Sequence, residues 1–438
     1  MAGGSRAFPG CRRHRNLAGG SGENGPMKQI SLAYLCGEYP RATDTFIQRE
    51  VAALRRAGLT VETIAVRRPS LREQGTAEQE EERRRTHYLL PSPPWRLLAD
   101  HLGLVWQGPG RYLRAIRLAL GVRAPGVRAL IYQLFYFAEA GMVAARMRRL
   151  GLRHVHNHAP DSSGYVAMLA AELADLSYSM TIHGFGILAE PGRWRLREKI
   201  EQALFTICIS DYARSQAMLW SQRSCWPHLH VVHCGIEPHS VTARHHEGRG
   251  QRLLYVGRFD HVKGLPLLLE AFATLAGDDP ALHLDMVGDG PERQDLLAMV
   301  AELGLQERIT FHGYHSQAQL QDDYDRADLF VLTSFVEGIP VVLMEAMAQG
   351  VPVVAPRITG VPELVDDGVN GLLYTPGVVE QLVARCEKVL ADPDLRNSCA
   401  AAARKTVQHH FNLDSETSRL AEIMQHYLQE GPDQAEAP

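Results

Sequence analysis

The sequence predicts an α/β protein of two Rossmann-like domains facing each other across a central cleft. Short apolar runs alternate with helix-like segments, which is typical of parallel sheets. A polar segment rich in turn-forming residues interrupts this alternation at 237–251. The length of 438 residues also exceeds what one ordinary core accommodates.

In the first half, the strand-like runs are 30–36, 60–66, 154–159, 178–184, 206–210 and 230–236, with a helix near 45–57. The charged segment 68–87 is predicted to be a solvated surface loop or helix. We assign residues 27–237 to the N-terminal domain. Residues 1–26 lack the apolar core of a signal peptide. We expect them to be either a disordered tail or the product of a gene start assigned too far upstream.

The second half repeats the pattern after a linker predicted at 238–251. Its strand-like runs are 252–258, 282–288, 309–313, 328–334 and 351–356. We assign residues 252–410 to the C-terminal domain. Residues 411–438 are expected to provide a helix that returns to the N-terminal domain, followed by a short tail. Because ligands of such sheets bind beyond the carboxyl ends of the strands, functional residues should follow these runs.

Composition narrows the functional classes. Hydrophobic residues make up 45% and charged residues 22% of the chain, and the formal net charge is -4, which gives no general attraction to nucleic acid. The seven cysteines are scattered without a C-x-x-C pair, so we expect a reducing, cytoplasmic location. No Asp-x-Asp pair stands in a loop suited to metal binding, and neither a metal nor a cofactor is predicted.

Two cations follow the first strand of the second half. Arg258 and Lys263 lie in "YVGRFDHVKG", just before a predicted helix. Arginine can bind phosphate oxygens in pairs, lysine adds a point charge, and a helix N-terminus supplies N–H groups. The spacing suits a diphosphate, although a pair of solvated surface cations would look the same in sequence.

Two glutamates lie at a second helix start, in "SFVEGIPVVLMEAMAQG". Pro340 suits the first helical turn and Gly350 the helix end. A carboxylate at a helix N-terminus disfavours phosphate unless it binds something else, and a vicinal diol is a natural partner. We therefore expect Glu337 and Glu345 to bind the two diols of a sugar nucleotide. A helix cap for Glu337 and a surface charge for Glu345 are the structural alternatives.

These motifs together resemble the retaining glycosyltransferases of family 4, also called glycosyl transferases group 1, which have the GT-B fold. The resemblance rests on Gly257-Arg258, Lys263-Gly264, the Glu337-to-Glu345 E-x7-E spacing and the later "GVPE" at 360–363. The front half is similar to colanic-acid and exopolysaccharide glycosyltransferases through "EYPRATDTFIQREVAAL", "HVHNHAP" and "MTIHG". The resemblance implies transfer of a sugar from a nucleotide-diphosphate sugar, with no cofactor and no metal.

The resemblance also implies the site residues. His183, Glu337, Arg258 and Lys263 would be catalytic. The donor would be bound by Arg258, Lys263, Gly288, Gly290, Gly313, Tyr314, Glu337, Gly338, Ile339, Pro340, Val341 and Glu345. The acceptor side, an oligosaccharide or lipid-linked acceptor in cell-surface glycan synthesis, would include Tyr39, Thr43, Thr45, His156 and His158.

Residues 94–150 are basic and aromatic. They carry nine arginines, only Asp100 and Glu139 as acids, and interleaved aromatics. Such helices suit the anionic inner face of a membrane or a lipid-linked acceptor. Helices packed on the domain with their arginines extended into solvent are the equally weighted alternative.

Two further functions fit parts of the pattern. A GT-B-type sugar-nucleotide epimerase would share the donor motifs, and a non-catalytic donor-binding subunit of a polysaccharide assembly would share the fold. The front-half motifs argue against the epimerase, and the complete set Arg258, Lys263, Glu337 and Glu345 argues against the non-catalytic subunit.

Overall fold

The structure, a computed structural model, describes residues 30–41, 44–69, 77–237 and 246–430. The chain forms two compact units, of which the first runs to His233 and resumes at Asp414, and the second spans Cys234–Leu413. The predicted tail at 1–26 and the first part of the predicted linker, 238–245, lie outside the described residues.

The described part of the first unit contains one parallel sheet. The strand order is β3-β2-β1-β4-β5-β6-β7, and all paired neighbours are parallel. The strands are β1 Ser31–Glu38, β2 Thr60–Arg67, β3 His87–Tyr88, β4 His154–His158, β5 Ser177–Ile182, β6 Thr206–Cys208 and β7 Leu229–Val231. Strands buried on both faces, such as β4 and β5, read as continuous buried runs, as expected for a sheet covered by helices on both sides.

Helices connect these strands. They are α1 Thr45–Arg56, α2 Ala77–Arg85, α3 Pro94–Gln107, α4 Pro109–Gly121, α5 Val127–Arg149, α6 Ser162–Ala174, α7 Phe185–Ala189, α8 Leu196–Gln202 and α9 Asp211–Leu219. For the segment 68–87, the helix alternative is correct over α2. No helix among the described residues combines the length and apolarity needed to cross a membrane.

The described part of the second unit repeats this architecture. Its sheet order, β10-β9-β8-β11-β12-β13, is the 3-2-1-4-5-6 order of a Rossmann fold. The strands are β8 Arg252–Val256, β9 His283–Val287, β10 Ile309–Gly313, β11 Leu329–Val331, β12 Val353–Pro356 and β13 Leu372–Tyr374. The prediction of two Rossmann-like domains is confirmed.

The second unit's helices are α10 Leu265–Asp278, α11 Arg293–Glu302, α12 Gln317–Arg326, α13 Val341–Ala348, α14 Val361–Leu364, α15 Val379–Ala391 and α16 Pro393–His410. The last helix, α17 Leu413–Gln425, packs on the first unit. Its Leu420 and Met424 join the buried cluster that contains Tyr34 of β1 and Phe205. Burying these apolar side chains stabilises the attachment of the chain end.

Candidate active site

Lys263 is brought next to the end of β11 by a close approach of two backbone segments. It closes a short 3-10 turn, and the following Gly264 has a φ of +60°. A Cβ atom on Gly264 would lie 2.4 Å from the carbonyl oxygen of Thr333, so only glycine permits this approach. The Thr333 hydroxyl donates to the carbonyl oxygen of Lys263 over 2.9 Å. Lys263 therefore lies beside the loop that follows β11.

The Lys263 ammonium forms an ion pair with Glu337. The Nζ and Oε1 atoms are 2.6 Å apart, and the two side chains are 23% and 11% exposed. Ser334 Oγ donates to the same carboxylate oxygen over 2.5 Å. Because the carboxylate accepts from both donors, its negative charge is partly offset where α13 begins. An anion can therefore approach this end of α13 despite the adjacent acid.

Thr359 holds the backbone of the loop that carries Glu337. Its hydroxyl donates to the carbonyl oxygen of Glu337 over 2.5 Å and accepts from the Glu337 N–H over 3.3 Å. Thr359 itself has a φ of +41°, a conformation that costs energy for a β-branched residue. At Gly360, a Cβ atom would lie 2.4 Å from the carbonyl oxygen of Gly338. The Thr359-Gly360 pair thus fixes this loop against the helix start.

Helix α13 begins one residue later than expected. Pro340 is its N-cap rather than a residue of its first turn, and no side chain caps the helix. The Pro340 carbonyl oxygen accepts from the N–H groups of Leu343 and Met344. The N–H groups of Val341 and Val342 precede the first intrahelical bonds, as at any helix start. This is the positive end of the helix dipole, next to Lys263, and it suits an anion.

Glu345 lies one turn further along α13 and is 9% exposed. Gln317 Nε2 donates to its Oε1 over 3.1 Å, and the Tyr324 hydroxyl is 3.4 Å from its Oε2. Both partners belong to α12, a helix that none of the quoted motifs includes. A buried carboxylate held by neutral donors keeps acceptor capacity for hydroxyl groups, as its predicted role requires.

Arg258 follows β8 and extends into solvent, with its side chain 64% exposed. Its Nε lies 3.6 Å from Oδ2 of Asp260. The Tyr255 hydroxyl donates to the Arg258 carbonyl oxygen over 3.2 Å. The backbone of Arg258 is therefore held while its guanidinium remains accessible to a ligand.

Gly288 and Gly290 pack against the loop that carries Arg258. A Cβ atom on Gly288 would lie 1.9 Å from the carbonyl oxygen of Gly257, and one on Gly290 would lie 2.2 Å from that of Phe259. The family resemblance implies that these glycines let a donor approach closely. The contact in the structure is backbone to backbone, which gives both glycines a structural role, and their contact with a donor stays a prediction.

At the end of β10, Gly313 has a φ of +75°, and its carbonyl oxygen accepts from the Gly288 N–H over 2.8 Å. Tyr314 follows with 65% of its surface exposed. Nearby, His315 Nδ1 lies 2.5 Å from a carboxylate oxygen of Asp323. These contacts place the backbone of Gly313 and Tyr314 at the same sheet edge as Gly288.

In the first unit, three histidines meet the ends of β4 and β5. His158 Nδ1 lies 2.6 Å from His183 Nε2, and His158 Nε2 lies 2.8 Å from Glu50 Oε1. His156 Nδ1 and Nε2 lie 2.7 and 2.9 Å from the hydroxyls of Ser179 and Thr181. His183 is partly buried, whereas His156 and His158 are fully buried.

Burial lowers the pKa of His156 well below its ordinary value, and the neighbouring histidines lower it further. Burial and then His158 lower the pKa of His183 in the same way. Both rings are therefore neutral near pH 7, and each acts as one donor and one acceptor.

The other residues predicted on the acceptor side lie in different surroundings. Tyr39 is 1% exposed and belongs to the core beside β1, so its ring has a packing role and acceptor contact stays a prediction. Thr45 is the first residue of α1 and is partly buried. Thr43 lies outside the described residues. Sequence reasoning missed Glu50, which shares a face of α1 with Phe46 at i,i+4 spacing.

Residues 243–406 match the family model described as Glycosyl transferases group 1. Over 428 residues, the chain is 26% identical to the putative colanic acid biosynthesis glycosyltransferase WcaL of Salmonella typhimurium, a match that covers 90% of this chain and 100% of that protein. The amylovoran biosynthesis glycosyltransferase AmsK of Erwinia amylovora is 26% identical over 430 residues, 90% of this chain and 99% of that one.

Residues 243–406 form a glycosyl transferases group 1 domain.

Solved structures agree with the fold of this glycosyltransferase. A crystal structure of Anabaena HepE in complex with UDP matches it with a TM-score of 0.66 and 18% identity, over 90% of this chain and 99% of that chain. At this identity the likeness shows the GT-B fold alone. The family match spans Arg258, Lys263, Glu337 and Glu345, so all four belong to the matched domain of the glycosyltransferase.

Proposed function

We propose that this glycosyltransferase moves a sugar from a nucleotide-diphosphate sugar to an acceptor hydroxyl with retention of anomeric configuration. The observation that carries the proposal is the Lys263–Glu337 ion pair at the start of α13, with Glu345 one turn further on. The acceptor is an oligosaccharide or lipid-linked sugar in the synthesis of an exopolysaccharide or related cell-surface glycan. The names of the relatives WcaL and AmsK support that pathway.

The chemical requirement of such a reaction is stabilisation of the departing diphosphate. Lys263 lies beside the N-terminus of α13, and together they offer positive charge and N–H donors. The exposed Arg258 lies five residues before Lys263, in the same segment after β8. Glu337 then accepts from hydroxyls of the transferred sugar and Glu345 from the ribose diol. We propose that these side chains suffice for the leaving group, so that the reaction needs neither a metal nor a cofactor.

Binding of nucleotides tests this proposal directly. We expect one nucleoside diphosphate, and its sugar derivative, to raise the thermal unfolding temperature of the full chain, with the same rise in EDTA. The measurement is a thermal-shift panel across the common bases, followed by product analysis with the stabilising sugar nucleotide. Loss of the rise in EDTA would overturn metal independence, and release of an epimerised sugar without an acceptor would favour an epimerase. A rise without transfer to any acceptor would favour a non-catalytic donor-binding subunit, and no rise with any nucleotide would remove the donor site itself.

Glu345→Ala is expected to weaken binding of the nucleoside diphosphate by roughly 10- to 100-fold, because hydrogen bonds to a charged acceptor are worth about 1.5–3 kcal/mol. Calorimetric titration of the free nucleotide measures the change. Glu270→Ala, at the exposed Glu270 of α10 in the same unit, is the control and should leave the affinity unchanged. Equal affinity in Glu345→Ala and wild type would remove the ribose role.

We further propose that helices α3–α5 contact an anionic membrane surface, the inner face of the cytoplasmic membrane. Their exposed apolar side chains include Trp95 at 71%, Trp106 at 90%, Val127 at 75% and Phe135 at 59% exposed. Exposed apolar groups on this scale indicate a binding surface. Exposed arginines on or between the same helices are Arg96, Arg114, Arg117, Arg123, Arg128, Arg148 and Arg149, of which Arg114 and Arg149 are paired with Glu172 and Asp100. Each arginine near an anionic lipid surface contributes about 1 kcal/mol, so the charge complementarity favours lipid as the partner.

Vesicle flotation checks the membrane proposal. The full chain should float with vesicles of phosphatidylglycerol and phosphatidylcholine, less so at high salt, and poorly with phosphatidylcholine alone. Trp106→Ser should reduce flotation several-fold, whereas Trp220→Ser, at the 39% exposed Trp220 after α9, should not. Equal flotation of both variants and wild type, or self-association through the same face without vesicles, would contradict a lipid surface.

A further inference from the structure

We propose that Glu50 and His158 are positioning residues that set the tautomer of His183. The proposal rests on the proposed function for the role of His183 at the reacting groups. The tautomer itself follows from contacts within the first unit. Nothing in the sequence motifs singled out Glu50, which lies in the middle of α1.

The hydrogen-bond chain has four members. Tyr34 of β1 donates its hydroxyl to Glu50 Oε1 over 2.8 Å. The same carboxylate oxygen lies 2.8 Å from His158 Nε2, and His158 Nδ1 lies 2.6 Å from His183 Nε2. The side chain of His158 is 0% exposed and that of Glu50 is 16% exposed. The chain thus runs from the buried sheet to the partly buried ring of His183.

The direction of each bond follows from the chemistry of the members. An ionised carboxylate only accepts hydrogen bonds, so His158 Nε2 must be protonated and donate to Glu50. If the His158 ring carries only that proton, its Nδ1 is unprotonated and can only accept. His183 must therefore carry its proton on Nε2, and its Nδ1 is the acceptor nitrogen of the ring.

The surroundings favour this assignment. Burial and then Glu50 raise the pKa of Tyr34 well above its ordinary value, so its phenol remains a donor to the carboxylate. Burial lowers the pKa of His183, so its neutral form, for which the tautomer matters, prevails near neutral pH. Phe46 of α1 packs on the His183 ring with centroids 4.9 Å apart, which restricts the ring orientation.

A fixed tautomer has a chemical consequence. With the proton on Nε2, Nδ1 of His183 can only accept, and the matching donor would be a hydroxyl, the group that sugars and sugar acceptors present. Any positive charge that develops on His183 is stabilised through His158 by the Glu50 carboxylate. Glu50 thus supports an acceptor nitrogen at the strand end without touching the substrate.

Metal binding is the alternative interpretation of the same cluster. Atoms of Glu50, His156 and His158 lie within 4.8 Å of one another, a spacing that could hold an ion. However, both ring nitrogens of His156 lie within hydrogen-bond distance of hydroxyls, those of Ser179 and Thr181. Ligation would require breaking at least one of these bonds and the His158–Glu50 bond. The contacts therefore favour the hydrogen-bond chain.

Long-range proton–nitrogen NMR spectra of the full chain, labelled with 15N-histidine, test the assignment. His183→Ala identifies the His183 signals. Wild-type His183 should show the Nε2-protonated tautomer, and His158→Leu should shift it to the other tautomer or to a mixture. His158→Gln keeps an acceptor for His183 and a donor for Glu50, so it should restore the wild-type pattern.

Kinetics supply the second readout. His158→Leu should lower kcat by roughly 10²-fold or more, as expected when a histidine takes the wrong tautomer, while KM for the sugar nucleotide changes little. His158→Gln should recover most of kcat. An Nδ1-protonated or doubly protonated His183 in wild type, an unchanged tautomer in His158→Leu, or a shift of the His158 signals on adding zinc would each overturn the proposal. If the tautomer is found but no sugar is transferred, the proposed function fails and the assignment stands.

Discussion

Lys263→Ala is expected to lower kcat for sugar transfer by roughly 10²- to 10³-fold, the usual loss when one fixed donor to a developing negative charge is removed. Lys263 is held by the Gly264 approach to Thr333 and paired to Glu337 over 2.6 Å, so its ammonium is already in place before a donor binds. A preorganised cation spends little energy on reorientation as the leaving diphosphate gains charge. The substitution also leaves Glu337 without its cation, which makes the start of α13 less favourable for an anion.

Steady-state kinetics with the stabilising sugar nucleotide measure this loss, and calorimetry with the free nucleoside diphosphate separates binding from transfer. Lys405→Ala is the matched control, because Lys405 is an exposed lysine on α16 of the same unit. Circular dichroism of both variants checks that the fold is retained. Wild-type kcat in Lys263→Ala would remove the phosphate role that the motif and the ion pair both support.

The donor-side architecture was largely predictable because its signals are local. A strand followed by Arg258, Lys263 and a helix start is contained in a dozen residues, and so is the Glu337-to-Glu345 segment. The one-residue displacement of α13 arises because Pro340 has an extended backbone, with ψ of 118°, and caps the helix from outside. Helix periodicity alone does not distinguish an N-cap proline from one in the first turn.

Other features depend on contacts between distant segments and left little sequence signal. Strand β3 is only His87–Tyr88 and exists through its pairing with Ile64 and Ala65, and β13 is three residues long. Both are too short for periodicity to identify. Likewise, Glu50 is one acid in the amphipathic helix α1, and its partners Tyr34 and His158 come from the distant strands β1 and β4.

The glycines after β9 show that glycine at one motif position can be required for two different physical reasons. The family resemblance implied that Gly288 and Gly290 admit a donor. The structure shows that each admits the backbone of the loop that carries Arg258, and the Gly288 N–H donates to the Gly313 carbonyl oxygen. Substitution of Gly288 therefore tests the position of that loop as well as the donor site.

Gly288→Ala is expected to destabilise the second unit by about 3 kcal/mol or more. A Cβ atom would lie 1.9 Å from the Gly257 carbonyl oxygen, and the φ of +140° is accessible almost only to glycine. Backbone strain of this kind costs about 1–3 kcal/mol, and forcing two backbone segments apart adds about as much. Both costs fall on the contact that sets the backbone of Arg258, so donor affinity should decrease along with stability.

All five tryptophans precede residue 227 and so lie in the first unit, which means that tryptophan fluorescence would not report on this change. Hydrogen exchange of peptides covering β8 and β9, measured by mass spectrometry in increasing urea, follows the second unit directly. Gly277→Ala is the control, because Gly277 is in helix α10 with nothing within 4 Å of a Cβ atom, and alanine there should stabilise the helix by up to about 1 kcal/mol. Wild-type exchange with lost nucleotide binding in Gly288→Ala would instead mean that the glycine serves donor approach alone.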